Sequence, residues 1–169
     1  MQTLDNVLQS VFGVGNVGNA ALHITTAAPA NIIATAKTYQ QVGAGSIGQF
    51  ISAVTPQQAI TLSSRPLQLL QVEESNRFST DVGVAEVSGK AVDLEITVIP
   101  QDSKVAAKTT VSLQANEFRT MKQLLKSIGV QSGYNARVTV KVTGGAGAAT
   151  AYASTTDLAT KDTTFVPAQ

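Results

Sequence analysis

Cysteine is absent from the 169 residues, which excludes disulfides, thiolate metal ligation and a cysteine nucleophile together. Tryptophan is absent as well, and aromatic residues make up only 5% of the chain. A core must therefore be built from Val, Ile, Leu and Ala. Histidine occurs once, at His23, so a cluster of imidazole ligands cannot form and a catalytic triad would rest on that one ring. Charge is scarce too: 14% of residues against roughly 25% in an average globular chain, with a formal net charge of +1. No basic stripe or polybasic run is present, so the electrostatic footprint of nucleic-acid binding is missing, as is a segment for holding an anionic membrane. No apolar run approaches the roughly 20 residues of a membrane-spanning helix, so no membrane insertion is expected. Met1 to Asn6 has neither the basic start nor the apolar stretch of a signal peptide. For an exported protein, the targeting segment would lie outside this chain.

What remains is a hydrophobic content of 43%, distributed mostly with a period of two. Ala91 to Pro100 sets Val92, Leu94, Ile96 and Val98 on one face, with Asp93, Glu95 and Thr97 on the other. After a polar turn at Gln101 to Lys104, Val105 to Gln114 returns with Val111 and Leu113 inward, an antiparallel signature. Ala136 to Thr143 alternates in the same way, with Val138, Val140 and Val142 inward. Pro66 to Glu73, Phe78 to Val87, Ala148 to Thr155 and Thr163 to Ala168 read as further strands, with Ser88-Gly89 and Gly144-Gly145 as turns. Upstream, Ala20 to Thr26, Asn31 to Tyr39 and Ile47 to Val54 read as strands, with Val42 to Gly48 a glycine-rich loop between the last two. Helical spacing appears twice: Leu4, Val7, Leu8, Val11 and Phe12, with Thr3 as cap and Gly13 as terminator; and Phe118, Met121, Leu124, Leu125 and Ile128, between Asn116 and Gly129. About ten strands at regular spacing predict an all-β antiparallel β-sandwich with two short connecting helices.

The end of the chain matches its beginning. Thr120, Leu125 and Ser127 match Thr3, Leu8 and Ser10; Asn135-Ala136 matches Asn19-Ala20; Thr150-Ala151 matches Thr35-Ala36; Phe165 and Ala168 match Phe50 and Ala53. The first copy, as read from residues 1–54, contains no counterpart of Pro66 to Gln114. The expected organisation is an N-terminal half-module over residues 1–55, a helix plus about three strands, and a complete sandwich module over 60–169, divided at Thr55-Pro56-Gln57-Gln58.

Chemistry-bearing candidates are few. Gly13 to Gly18 spells G-x-G-x-x-G, but a dinucleotide site needs that motif after a strand and opening a helix, and here the order is reversed. His23 falls on the outward face of its expected strand, and its counterpart in the second copy is Thr139, which reads as a solvent position. Asp157 and Asp162 flank a polar loop and could lend oxygens to Ca²⁺, which takes six to eight such ligands; Asx-turn and strand-end roles compete. Glu73 and Glu74 are adjacent, so on a strand they point to opposite faces and form no carboxylate pair. Tyr39, Tyr134 and Tyr152 are scattered. No cofactor site is expected.

Arg77-Phe78-Ser79-Thr80-Asp81-Val82-Gly83-Val84 resembles the F-R-T-N/D-L-x-L-x-N opening of tandem repeat modules in large secreted bacterial proteins. Ala151-Tyr152-Ala153-Ser154 with Asp157 and Asp162 resembles their Y-A-S-x-x-D-N-x-T-x-D-P closing, and Gly48-Gln49-Phe50-Ile51 is similar to their G-T-F-G-Q-F-I-P element. Here Arg77 precedes the phenylalanine, and Thr163 stands where the family often has proline. The resemblance implies immunoglobulin-like sandwiches, an extracellular or cell-surface location, and no catalytic residues. The functional expectation is a non-enzymatic structural protein that self-assembles into a filament, matrix or surface layer, with a half-module open to strand complementation. The other reading is an extracellular module that binds polysaccharide or a surface partner.

Overall fold

The computed structural model describes residues 2–15, 20–27, 32–101, 106–131 and 133–169. Among these, ten strands form: β1 (Thr35–Val42), β2 (Gly45–Ser52), β3 (Leu67–Glu74), β4 (Phe78–Glu86), β5 (Val92–Ile99), β6 (Ala107–Leu113), β7 (Phe118–Met121), β8 (Gly133–Gly145), β9 (Ala149–Asp157) and β10 (Thr163–Pro167). Two one-turn helices, α1 (Val7–Ser10) and α2 (Leu124–Ser127), and a 3-10 turn at Pro56–Gln58 complete the set. The strands form two four-stranded sheets, ordered β10-β9-β4-β7 and β3-β8-β5-β6, and a separate two-stranded sheet, β1-β2. All neighbours are antiparallel.

The fold is the all-β sandwich that the alternation predicts. In β5 the inward residues Val92, Leu94, Ile96 and Val98 are buried while Asp93 between them is exposed. They pack with Val138, Val140 and Val142 of β8 and with Val82, Val84, Ala149, Ala151 and Ala153 of the opposite sheet in one cluster. Alanine on β9 against valine on β5 and β8 fits small side chains between large ones. β4 beside β7, and β8 beside β5, follow the immunoglobulin pattern, but the outer strands exchange places. An immunoglobulin domain sets its first strand beside the second and its last beside the one before it; here β3 pairs with β8 and β9 pairs with β4. The chain makes that exchange at Gly144 to Gly147. Gly145 has φ +83, and a Cβ at Gly145 or Gly147 would run into the carbonyls of Ala91 and Lys90.

Several local expectations are corrected by tertiary context. Phe118 to Met121 is the edge strand β7 rather than the first turn of a helix, because the open edge of β4 offers backbone partners that a short helix cannot match. Only Leu124–Ser127 is helical; Leu124 and Leu125 plug the core, and a Schellman pair, Val130 N–H to Leu125 and Gly129 N–H to Lys126, ends the turn. Gln123, not Asn116, is its N-cap. The first helix is likewise a single turn entered from Asn6 rather than Thr3, with Leu4 and Phe12 exposed. Residues 20–27 form no strand. The loop expected at Val42 to Gly48 contracts to the two-residue turn Gly43-Ala44, so β1 and β2 extend to its shoulders. Most of the turn expected at Gln101 to Lys104, and Asn16 to Gly18 of the glycine motif, lie outside the described residues.

The sandwich is stapled at its ends by single bridges. Gln68 and Gln169 exchange backbone hydrogen bonds of 2.9 and 3.0 Å, tying the C-terminus to edge strand β3, and Ile60 pairs with Ala149 in the same way. A bulge in β3, where Gln71 has φ 58, turns Leu70 and Gln71 outward and returns Val72 and Glu74 to the interior. The N-terminal third is different: no described residue before Ile60 is buried. Leu94→Ala is expected to cost about 2–5 kcal/mol of unfolding free energy in urea, whereas Phe50→Ala, on the exposed hairpin, should change the same free energy by less than about 0.5 kcal/mol.

Candidate functional site

Among the described residues the most heavily coordinated side chain is a carboxylate that sequence patterning did not single out. Glu86 ends β4 on its inward face and is fully buried. Its Oε1 accepts from the Ser88 N–H at 2.7 Å and from the Ser88 hydroxyl, and lies 3.4 Å from the Ala148 N–H. Its Oε2 accepts from the N–H groups of Gly89 at 2.9 Å and Asn116 at 2.8 Å. One carboxylate thus joins the β4–β5 turn, the β6–β7 turn and the β8–β9 corner. Burial alone would raise its pKa, but the Asn116 amide, the Ser88 hydroxyl and the Ser88 and Gly89 amides together hold it down at about 2. Its acceptor positions are filled from within the chain, so its work is structural. The available signal in the sequence was its parity with Val82 and Val84, immediately before a Ser-Gly turn.

Glu74 is also buried, and its Oε2 accepts the Thr80 N–H at 3.1 Å. Burial pushes its pKa up, and the Thr80 bond and the charge of Lys126 only partly oppose this. Glu73 is on the other face and accepts the Ser75 hydroxyl, so the adjacent glutamates are split as strand geometry requires.

Asp157 and Asp162 are brought together, but by backbone: the Asp157 N–H donates to the Asp162 carbonyl at 2.8 Å. Asp157 Oδ1 accepts the N–H groups of Ala159 and Thr160, an Asx turn, and Oδ2 takes the Arg77 guanidinium at 2.9 Å. The Arg77 bond and that of Ala159 hold the Asp157 carboxyl below its usual range. Asp162 Oδ1 accepts the next residue's N–H, from Thr163. No group of three or more His, Asp or Glu side chains spaced to hold a metal occurs among the described residues. His23 is exposed in a segment without regular structure.

The three tyrosines stay apart. Tyr152 lies half-buried over Gly83, where any Cβ would strike its ring, between Phe165 at 5.4 Å and Phe118 at 6.4 Å. Tyr134 is 57% exposed at the rim of a groove that Glu73, Asn76, Arg77, Phe78 and Gln131 also line. The Arg77 guanidinium stacks over the Phe78 ring at 5.2 Å there. Tyr39 lies on the exposed hairpin, with the Lys37 ammonium 5.7 Å from its ring centre.

That hairpin is the largest departure from a closed fold. Every residue of β1 is exposed. On β2, Ile47, Gln49 and Ile51 are half-buried where the strand lies against β10, and the Ser154 hydroxyl donates to Gln49 Oε1 at 3.2 Å. The alternate face carries Phe50, 59% exposed. With Phe12, Ile24, Tyr39 and Ile33, the last 94% exposed, it leaves the N-terminal segment studded with uncovered apolar side chains.

The carboxylates generate opposite pH signatures. The folded pKa of Glu86 is depressed from 4.5 to about 2, so it stabilises the fold above the unfolded value, and this is lost as pH falls through the folded one. The shift corresponds to on the order of 3 kcal/mol. Glu86→Gln should therefore lower the urea midpoint at pH 7 and flatten its decline between about pH 5 and pH 2. Glu74, with a raised folded pKa, stabilises most below its unfolded pKa and loses that as pH rises through the folded one. Glu74→Gln should raise the midpoint at pH 7 relative to wild type, and the gain should vanish in acid.

Compared with family models, with characterised proteins and with solved structures, the chain shows no match.

Proposed function

We propose that the protein is a non-enzymatic structural subunit of the cell exterior that assembles with copies of itself through its N-terminal segment. One observation carries the reading. Residues 60–169 bury their own core, while no described residue before Ile60 is fully buried and Phe12, Ile24, Ile33 and Phe50 are exposed. Apolar surface of that kind gains about 25 cal/mol for each Å² that a neighbour covers. A net charge of +1 offers little repulsion between copies. When the N-terminal patch of one copy meets a different surface on the next, the contact is head-to-tail and propagates into a filament or layer. The extracellular setting is carried by the resemblance of Arg77 to Val84 and Ala151 to Asp162 to secreted repeat modules.

A second reading, polysaccharide binding, is favoured by the groove between Arg77 and Tyr134, where an open aromatic ring stands beside polar side chains as sugar recognition requires. A glycan array in which Tyr134→Ala abolishes a wild-type signal would support it.

Light scattering after size exclusion tests assembly. The mass is expected to rise above 17.5 kDa with protein concentration, with fibres or sheets in negative stain, and Ile33→Ser with Phe50→Ser should return the protein to monomer. A wild-type monomer at every concentration, without ordered particles, would overturn the proposal.

A further inference from the structure

The two outlying hairpins of the chain correspond, and they differ by one neighbour. Thr35-Ala36 and Phe50 match Thr150-Ala151 and Phe165, which sets β1 in the place of β9 and β2 in the place of β10. The pairing differs by an even slip, Lys37 opposite Phe50 but Ser154 opposite Phe165, so each residue keeps its face. The helices correspond as well. α1 is entered from Asn6 at φ 48, ψ 47, and α2 from Gln123 at φ 47, ψ 49, a left-handed conformation that residues with side chains adopt rarely. In the sandwich, β9 has β4 on its other side, laddered from Phe78 opposite Asp157 to Glu86 opposite Ala149. β4 also holds the helix entrance, since Asp81 Oδ1 accepts the Gln123 N–H at 2.8 Å. Beside β1, no strand occupies that position among the described residues.

The geometry points to the outer edge of β1 as a docking site for an extended strand with the pattern of β4, supplied by a segment not already folded into a sandwich. This goes beyond self-association, because in a folded second copy β4 is paired on both sides, by β9 and β7, and is not free to donate. The edge is built to receive a strand. The two-residue turn Gly43-Ala44 makes Val42 and Gly45 a hydrogen-bonded pair, which turns the backbone groups of Lys37, Tyr39 and Gln41 away from β2. Carrying over the β4–β9 register places the two valines of such a strand opposite Thr38 and Ala36, its glycine opposite Lys37, and its acid opposite Tyr39. The acid is then diagonal to Lys37, within reach of a long side chain. Lys37 has no carboxylate partner among the described residues. Main-chain bonds along the edge would supply affinity, and the acid and the small central residue would supply register.

The test uses the full chain and a fluorescein-labelled synthetic peptide of the sequence Phe78 to Glu86, read by anisotropy and by amide hydrogen exchange. Saturable binding is expected, with the amides of Lys37, Tyr39 and Gln41 slowed about tenfold. A scrambled peptide should not bind. Binding should weaken about tenfold when the peptide carries D81K, and be lost with the protein variant Tyr39→Pro, which removes one edge N–H. Since β1 lies outside the core, urea unfolding of the variant should match wild type. If the variant is nevertheless unfolded, the mapped amide slowing and the D81K peptide still decide. Absent binding, equal binding of the scrambled peptide, or slowing mapped to β3, β6 or β7 would overturn the inference. So would β1 amides already protected in a dimer without peptide, which would make a second copy the occupant. Failure here with concentration-dependent assembly intact sinks the strand inference alone, and a strict monomer that takes up the peptide sinks the assembly reading alone.

Discussion

Everything in the molecule depends on two apolar sheet faces closing on each other. Side chains alternate across a strand, so each sheet presents one face that must be covered, and the two four-stranded sheets cover one another. Valine and isoleucine on β5 and β8 meet alanine on β9 and valine on β4, which lets the layers interlock without a tryptophan or a large aromatic centre. The aromatic residues are spent elsewhere: Phe118, Tyr152 and Phe165 stack along the outer face of one sheet, over the space that Gly83 leaves.

The exchange of outer strands puts a demand on one end of the sandwich. The chain must leave β8 in one sheet and enter β9 in the other within a few residues, past the carbonyls of Lys90 and Ala91. Glycine at Gly145 and Gly147 gives the clearance, and the Glu86 carboxylate gathers the amides of Ser88, Gly89 and Asn116, while the Ala148 N–H at the corner donates at 3.0 Å to the Ser88 hydroxyl that the same carboxylate holds. A buried N–H without an acceptor costs about 1–3 kcal/mol, so a single acid serving three loops is an economical answer. Its depressed pKa and the raised pKa of Glu74 show how environment separates two buried carboxylates, one on each sheet: Glu86 is surrounded by donors, while at Glu74 the effect of burial outweighs the Thr80 amide and the Lys126 charge.

Period-two patterning made the sandwich legible, because in β5, β6 and β8 the buried residues are the ones that alternate in the sequence. Patterning failed where a backbone edge competed with a helical period. Phe118 and Met121 sit at helical spacing from Leu124 and Leu125, yet they are strand residues because β4 had an unpaired edge to offer. Nor could alternation show that Leu22, Ile24 and Ile33 would remain uncovered, since the same pattern serves a strand with a partner and one without. Of the candidate site residues, Asp157 and Asp162 do lie at one turn, while the ion pair to Arg77 joins positions too distant in sequence to be read. Glu86 was legible only in part: its parity with Val82 and Val84 before Ser88-Gly89 could be read, but the Asn116 and Ala148 amides lie too far along the chain to be anticipated.

The described chain divides into a closed sandwich and an N-terminal hairpin, of which β1 is exposed throughout and has no strand on its outer edge. Native-state hydrogen exchange on dilute, monomeric protein tests that division most directly. It predicts that amides of β4, β5, β8 and β9 exchange only through global unfolding, while those of Lys37, Tyr39 and Gln41 exchange near the rate of an unstructured chain. Protection of those three amides equal to that of β5, in a solution shown to be monomeric, would contradict it.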